Sequence, residues 1–319
     1  MKKILVTGCL GQIGTELILK MREIYGQDNV IATNRSRHEG NEAMENGPFE
    51  LLDVTRQENL AEIYNKYKPD TVMHLASLLS AVAEAKPQMA WEINMGGLVN
   101  VLELARENDL SVFIPSSIGA FGPSTPKDNT PQDTLQRPNT MYGVTKVAGE
   151  LMADYYFSKF GVDTRGVRYP GLISYVAPPG GGTTDYAVDI YYEALKNKSY
   201  TSFIGEGTYM DMMYMPDALR AAIELMEADP AKLIHRNAFN ISGMAFAPEH
   251  VAAEIRKHIP EFELKYDVDP VRQAIADSWP NSLDVSAAEA EWGFKAEYDL
   301  KRMTEDMLEK LKTKLDIKG

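Results

Sequence analysis

The apolar positions of the chain switch between two spacings, and the switches predict its elements. Short apolar runs at 3–7, 29–33, 49–54, 71–76 and 112–117 have the length and composition of buried strands. Between the first two, Ile13, Leu17, Ile18, Met21 and Ile24 recur at helical spacing. After the third run a polar helix is expected from Thr55 and Gln57, and a long helix over 88–107 carries Asn94 on an otherwise apolar stretch. This alternation predicts an α/β fold, a doubly wound parallel sheet of Rossmann type with right-handed crossovers. Its ligand crevice belongs at the strands' carboxyl ends, where Gly8, Asn34, Ala76 and Ser117 fall.

The second half is less regular. A helix holding Tyr142 and Lys146 precedes a strand at 163–168. Pro178-Pro179-Gly180-Gly181-Gly182 fits neither helix nor sheet interior and reads as a mobile loop. Thr183 or Thr184 is expected to cap the next helix, whose apolar positions include Ala187, Ile190, Tyr191 and Leu195. A glycine-rich loop opening a helix there suits a lid over a site. Then come a helix over 217–228, a short strand at 238–241 returning to the main sheet, a helix over 248–258, an edge strand at 263–266 and a closing helix over 300–315. The expected division is a dinucleotide-binding domain over 1–175, with 213–243 returning to its sheet. A smaller C-terminal α/β substrate domain with the lid takes 176–212 and 244–319.

Composition narrows the function. A net charge of −13 with no run of Lys or Arg argues against nucleic acid as a partner. Cys9 is the single cysteine, which rules out an internal disulfide framework and a multi-thiolate metal site; it reads as a small buried side chain. His235, His250 and His258 lack ligand spacing, so no metal is expected. His74, inside an apolar run, reads as a packed histidine. No apolar stretch approaches the ~20 residues of a membrane span. The apolar start breaks at Thr7-Gly8, too early for a signal peptide, so a cytoplasmic protein is expected.

Against that background the glycines carry chemistry. Gly8, Gly11 and Gly14 stand directly after a strand and open a helix, the context a dinucleotide fingerprint requires. Gly8 permits the tight turn, Gly11 lets a pyrophosphate approach the backbone, and Gly14 allows close helix–sheet packing. The helix amino terminus adds amide donors and a positive dipole end. At the end of the second strand, where an acidic residue usually holds the adenosine ribose, stands Asn34, followed by Arg35 and Arg37. NAD is the expected cofactor, with NADP left open. Asp53 suits either an adenine amino group or a helix cap. Tyr142 and Lys146, four apart on a helix, share one face; an ammonium beside a phenol favours the phenolate, a base. Ser116 and Ser117 end the fifth strand, where a hydroxyl can hold a substrate oxygen.

The glycine turn, the serines and the Tyr142/Lys146 pair together resemble the extended branch of the short-chain dehydrogenase/reductase superfamily. Within it the chain is similar to the NAD-dependent L-threonine 3-dehydrogenases related to sugar-nucleotide epimerases. The stretches that carry this are 7–16, 115–123, 168–174, 181–188, 212–218 and 276–280. The resemblance implies Ser117, Tyr142 and Lys146 as catalytic residues, with Asn94 as a further member. It implies Ser80, Thr184, Asp185 and Trp279 at the substrate, beside Ser117 and Tyr142. Cofactor contacts follow at Gly8, Gly11, Gln12, Ile13, Asn34, Arg35, Asp53, Val54, Leu75, Ala76 and Leu172, joined by Tyr142 and Lys146. Asn34 departs from the family's usual aspartate. Also implied are oxidation of L-threonine to 2-amino-3-oxobutanoate, and a homodimer paired through helices 88–107 and 142–160. Read from the residues alone, Trp279 is a loop anchor or a pocket wall and Trp292 belongs to the core. A sugar-nucleotide epimerase or dehydratase, or a non-catalytic cofactor-sensing module, are the other classes compatible with the glycine turn.

Overall fold

The computed structural model describes residues 1–38, 40–177 and 182–317. Strands β1 (Ile4–Thr7), β2 (Val30–Asn34), β3 (Phe49–Leu51), β4 (Thr71–His74) and β5 (Ser111–Phe113) form within or beside the five apolar runs. Beyond β6 (Ser116–Ser117), β7 (Thr164–Arg165) completes a six-stranded sheet in the order β3-β2-β1-β4-β5-β7, every neighbour parallel. Both faces are covered, as continuous apolar strands demand. On one, Leu17, Ile18 and Met21 of helix Gln12–Tyr25 pack with Ala218, Ala222 and Leu225 of helix Met215–Glu227. On the other, Leu60 and Ile63 pack with Leu98, Val101, Leu102 and Tyr156. Each leucine, isoleucine, valine or methionine among them, taken fully from water, contributes roughly 1.5–3 kcal/mol. The strand order reverses between β1 and β4, so the crevice above their carboxyl ends is the topological switch point.

Three departures from the sequence reading have local causes. The strand expected over 163–168 is broken at Gly166, where a Cβ would overlap the Ile114 carbonyl. β8 (Val167–Tyr169) then pairs with β6 and with β12 (Phe239–Asn240), so the short strand expected at 238–241 forms but joins this three-stranded sheet rather than returning to the six-stranded one. The long helix runs as Pro87–Trp91, a π-helical turn Glu92–Gly96, and Gly97–Asn108. Its widened turn holds Asn94, whose amide is tied to the Leu78 backbone. Neither Thr183 nor Thr184 caps helix Tyr186–Asn197. A 3-10 turn, Thr183–Asp185, leads into it, and Asp185 Oδ2 accepts the Gly182 N–H at 2.7 Å. The part of the expected lid at 178–181 lies outside the described residues.

The remaining strands surround a separate apolar core. β9 (Gly171–Ile173) pairs with β11 (Met210–Tyr214), which pairs antiparallel with β13 (Met244–Phe246). β10 (Ser199–Ser202) pairs with β14 (Glu263–Tyr266), the expected edge strand. Tyr186, Tyr191, Met210, Val251, Met303 and Leu311 are buried there together. Among the described residues no helix is long and apolar enough to cross a membrane.

Candidate active site

The glycine turn folds as its sequence dictates. Gly8 has φ +68°, and a Cβ on it would sit 2.7 Å from the Ala76 nitrogen at the end of β4. A Cβ on Gly14 would come within 2.5 Å of the Gly8 carbonyl, so helix and turn touch backbone to backbone. Gly11 differs. Its φ is −76°, and a Cβ there would meet only the Gly8 carbonyl, at 3.4 Å. The fold does not require glycine at position 11, yet the residue faces a cleft. That cleft is lined by Gly8, Gly11, Asn34, Arg35, Asp53, Val54, Leu75 and Ala76, with Ser77, Leu78 and Ile93 added by the fold. A bare backbone beside a helix amino terminus, in a cleft closed by β1, β2 and β4, fits a dinucleotide's pyrophosphate. Gln12 and Ile13 open the helix, and Leu172 lies on β9, partly buried against the core below.

Asp53 takes neither role cleanly. Its Oδ1 accepts the Thr55 N–H and hydroxyl at 3.0 and 2.7 Å, pinning the turn, while the helix that follows starts after Arg56. The Thr55 hydroxyl bond holds the Asp53 carboxyl below the usual range. His74 is buried. Its Nδ1 lies 3.0 Å from Thr7 Oγ1, which also accepts the Ala76 N–H. Burial first, and the nearby Lys146 charge second, lower its pKa to about 3 and keep the imidazole neutral.

Tyr142 enters at the second position of helix Met141–Phe160, whose cap, Thr140 Oγ1, accepts the Gly143 N–H at 3.1 Å. Gly119 separates this ring from Ser117. The point where a Gly119 Cβ would stand lies 3.3 Å from Tyr142 Cδ1 and Cε1 and 3.6 Å from Ser117 Oγ. Ser117 Oγ accepts the Gly119 N–H at 3.1 Å, leaving its own hydrogen to donate elsewhere. Lys146 Nζ donates to the Pro115 carbonyl at 2.8 Å and stands 5.3 Å from the Tyr142 ring centre. Asn94 does not reach this group directly: its Nδ2 donates to Thr145 Oγ1 at 3.1 Å, and that hydroxyl donates to the Tyr142 carbonyl.

Trp279 sits in the turn after helix Pro270–Ala276 and packs against the buried cluster of Ile118, Phe121 and Leu283. The Thr183–Asp185 turn lies against β9 and the same helix, where a Cβ on Gly171 would meet Thr184. Ser80 starts helix Ser80–Ala85, exposed, on the side of the Tyr142 helix. Trp292 packs with Phe239 and Phe294 at the core edge. The sequence reading missed Glu150 and Arg168. Ser116 Oγ donates to the Glu150 carboxylate, which pairs with Arg168. Glu150 stands one turn past Lys146 on the same helix face, a spacing that already pointed to it. Among the described residues no cluster of His, Cys, Asp or Glu can hold a metal ion.

Residues 4–242 match the model of the NAD dependent epimerase/dehydratase family. An uncharacterized epimerase/dehydratase of Staphylococcus saprophyticus is 62% identical over 98% of each chain. The L-threonine dehydrogenase structure from Clostridium difficile is 68% identical, with TM-score 0.97 over 98% of each chain. That of L-threonine dehydrogenase from Phytophthora infestans is 48% identical, with TM-score 0.94 over 98% of this chain and 100% of the other.

Proposed function

The chain belongs to the NAD dependent epimerase/dehydratase family, an NAD-dependent oxidoreductase by that kinship, and from this premise we propose that it oxidises the 3-hydroxyl of L-threonine to give 2-amino-3-oxobutanoate. The observation that carries the reading is that Ser117 Oγ and the Tyr142 ring both border Gly119, within 3.6 Å of one point beside it. A dinucleotide held in the cleft of Gly8, Gly11 and Asn34 would supply the hydride acceptor for the threonine C3. Tyr142 takes the proton of the 3-hydroxyl, so one proton and one hydride leave the alcohol. Ser117, whose oxygen accepts the Gly119 N–H, donates its own hydrogen to the same oxygen and holds it in line. Lys146, fixed by the Pro115 carbonyl, keeps a positive charge beside the phenol and within reach of a ribose hydroxyl. Thr184, Asp185, Ser80 and Trp279 are the proposed substrate contacts, with the ammonium and carboxylate as their targets.

The similarity to L-threonine dehydrogenases over the whole chain supports this substrate. An epimerase acting on a nucleoside-diphosphate sugar needs cations free for the diphosphate. Arg220 is spent on Asp217 and Glu224, Arg236 on Asp163 and the Pro230 carbonyl, and Arg256 on the Phe262 carbonyl. The deciding experiment follows NADH absorbance with L-threonine and NAD, beside an epimerisation assay on a UDP-sugar. Threonine-dependent NADH formation is expected; epimerisation without it overturns the reading.

A homodimer is part of the proposal. The helices around 87–108 and 141–160 lie side by side and leave Trp91, Val144, Leu151 and Tyr155 between 41% and 63% exposed. Such a stripe of large apolar side chains favours burial against a second copy.

A further inference from the structure

We propose that the ribose end of the cleft accepts a phosphate on the adenosine 2′-oxygen, so that the protein binds and uses NADP as well as NAD. This rests on the dinucleotide cleft of the proposed function but not on its substrate. Discrimination against NADP at this position depends on a carboxylate at the end of the second strand, which accepts the ribose hydroxyls and repels a phosphate. β2 ends in the neutral amide of Asn34.

Two guanidinium groups follow Asn34, with the Glu50 carboxylate of β3 near the second, Arg37. Arg35 lines the cleft beside Asn34, and the run Asn34-Arg35-Ser36-Arg37-His38 contains two arginines and no carboxylate. Arg37 lies over the Phe49 ring, 5.2 Å from its centre, on the neighbouring strand. The nearest acid lining the cleft is Asp53, which turns one oxygen into the Thr55 bonds and has the charges of Arg56 and Arg35 close by. Asp53 is therefore screened by two guanidinium groups, whereas a carboxylate at position 34 would face the ribose directly.

Asn34 suits both coenzymes. Its Nδ2 donates to the Ser36 carbonyl at 3.1 Å and lies 3.3 Å from Ser36 Oγ, which leaves Oδ1 to accept from a ribose hydroxyl. Rotated by half a turn, the same amide presents its two N–H groups to a phosphate, and the Ser36 hydroxyl adds a third donor. Arg35 supplies the planar fork that phosphate oxygens favour.

The test is direct titration of the protein with NADH and with NADPH, followed by coenzyme fluorescence. The NADPH dissociation constant is expected within about thirtyfold of that for NADH. Asn34→Asp should weaken NADPH at least about tenfold more than NADH, and Arg35→Ala should do the same. A larger gap in the unmodified protein overturns the proposal, and so do losses that both variants share equally between the two coenzymes. A protein that binds both coenzymes but oxidises no threonine refutes the proposed substrate and leaves this inference standing. One that oxidises threonine with NAD yet rejects NADPH does the reverse.

Discussion

Glu150 and Arg168 meet as a two-bond ion pair inside the protein, Arg168 Nε and Nη2 donating to the two carboxylate oxygens at 3.1 and 2.9 Å. Gln136 donates to the same carboxylate, and Arg168 Nη1 donates to the Gln132 carbonyl and Asn240 Oδ1. Through Ser116 the pair ties the helix of Tyr142 to the strand of Ser117. Removing one partner leaves the other charge buried and unpaired. Glu150→Gln should therefore cost about 3–5 kcal/mol, read by chemical denaturation. Glu150→Leu combined with Arg168→Met should recover most of that loss, because no charge is then left unpaired. A double variant as unstable as the single one would show that geometry, not charge burial, sets the cost.

Gly11→Ala and Gly14→Ala should separate binding from folding. A Cβ at Gly14 strikes the Gly8 carbonyl at 2.5 Å, so that variant should lose stability outright. At Gly11 the backbone is extended and the nearest atom is 3.4 Å away. Its melting temperature should stay within a few degrees of the parent, while NADH binding weakens by about tenfold or more. If Gly11→Ala binds NADH normally, the pyrophosphate does not lie over position 11.

Tyr142→Phe removes the proposed base and keeps the ring that packs beside Gly119. Turnover with threonine and NAD should fall by about a hundredfold to ten-thousandfold, with the NADH dissociation constant nearly unchanged. Near-parental turnover would transfer the proton to another group.

What the chain made legible was local. Five strands, the glycine turn and the Tyr142/Lys146 face depend on residues close in sequence, and periodicity exposes them. The break at Gly166 depends on the Ile114 carbonyl, a partner some fifty residues away, and the π-helical turn at Asn94 depends on Leu78. Glu150 was visible as a charge on the right helix face, but its meaning came from Arg168 on β8. The cap at Thr183 or Thr184 failed because Asp185 already binds the Gly182 N–H and prolongs the turn.

The proposed homodimer has its own test at Leu151, 63% exposed on the Tyr142 helix. Leu151→Glu keeps a good helix former and touches no core contact, so the monomer fold should survive. Light scattering should give the mass of two chains for the parent and of one for the variant. A parent with the mass of one chain refutes the dimer.

Asp211 sets a pH dependence of stability. It is fully buried on β11, where its carboxylate accepts the Ser242 hydroxyl and the Leu283 N–H, tying the segment after Trp279 to the sheet. Burial outweighs those bonds and raises its pKa to about 7, against about 3.9 in an unfolded chain. The fold thus favours the protonated form. This contribution is complete below pH 4 and is lost as the pH rises through 7, about 1.4 kcal/mol per pH unit and about 4 kcal/mol in all. Asp211→Asn stays neutral throughout, so its unfolding free energy should decline less between pH 4.5 and 8 than that of the parent. Denaturant titrations at pH 4.5, 6 and 8 read the difference, and parallel curves for the two proteins would mean that Asp211 is ionised in the fold.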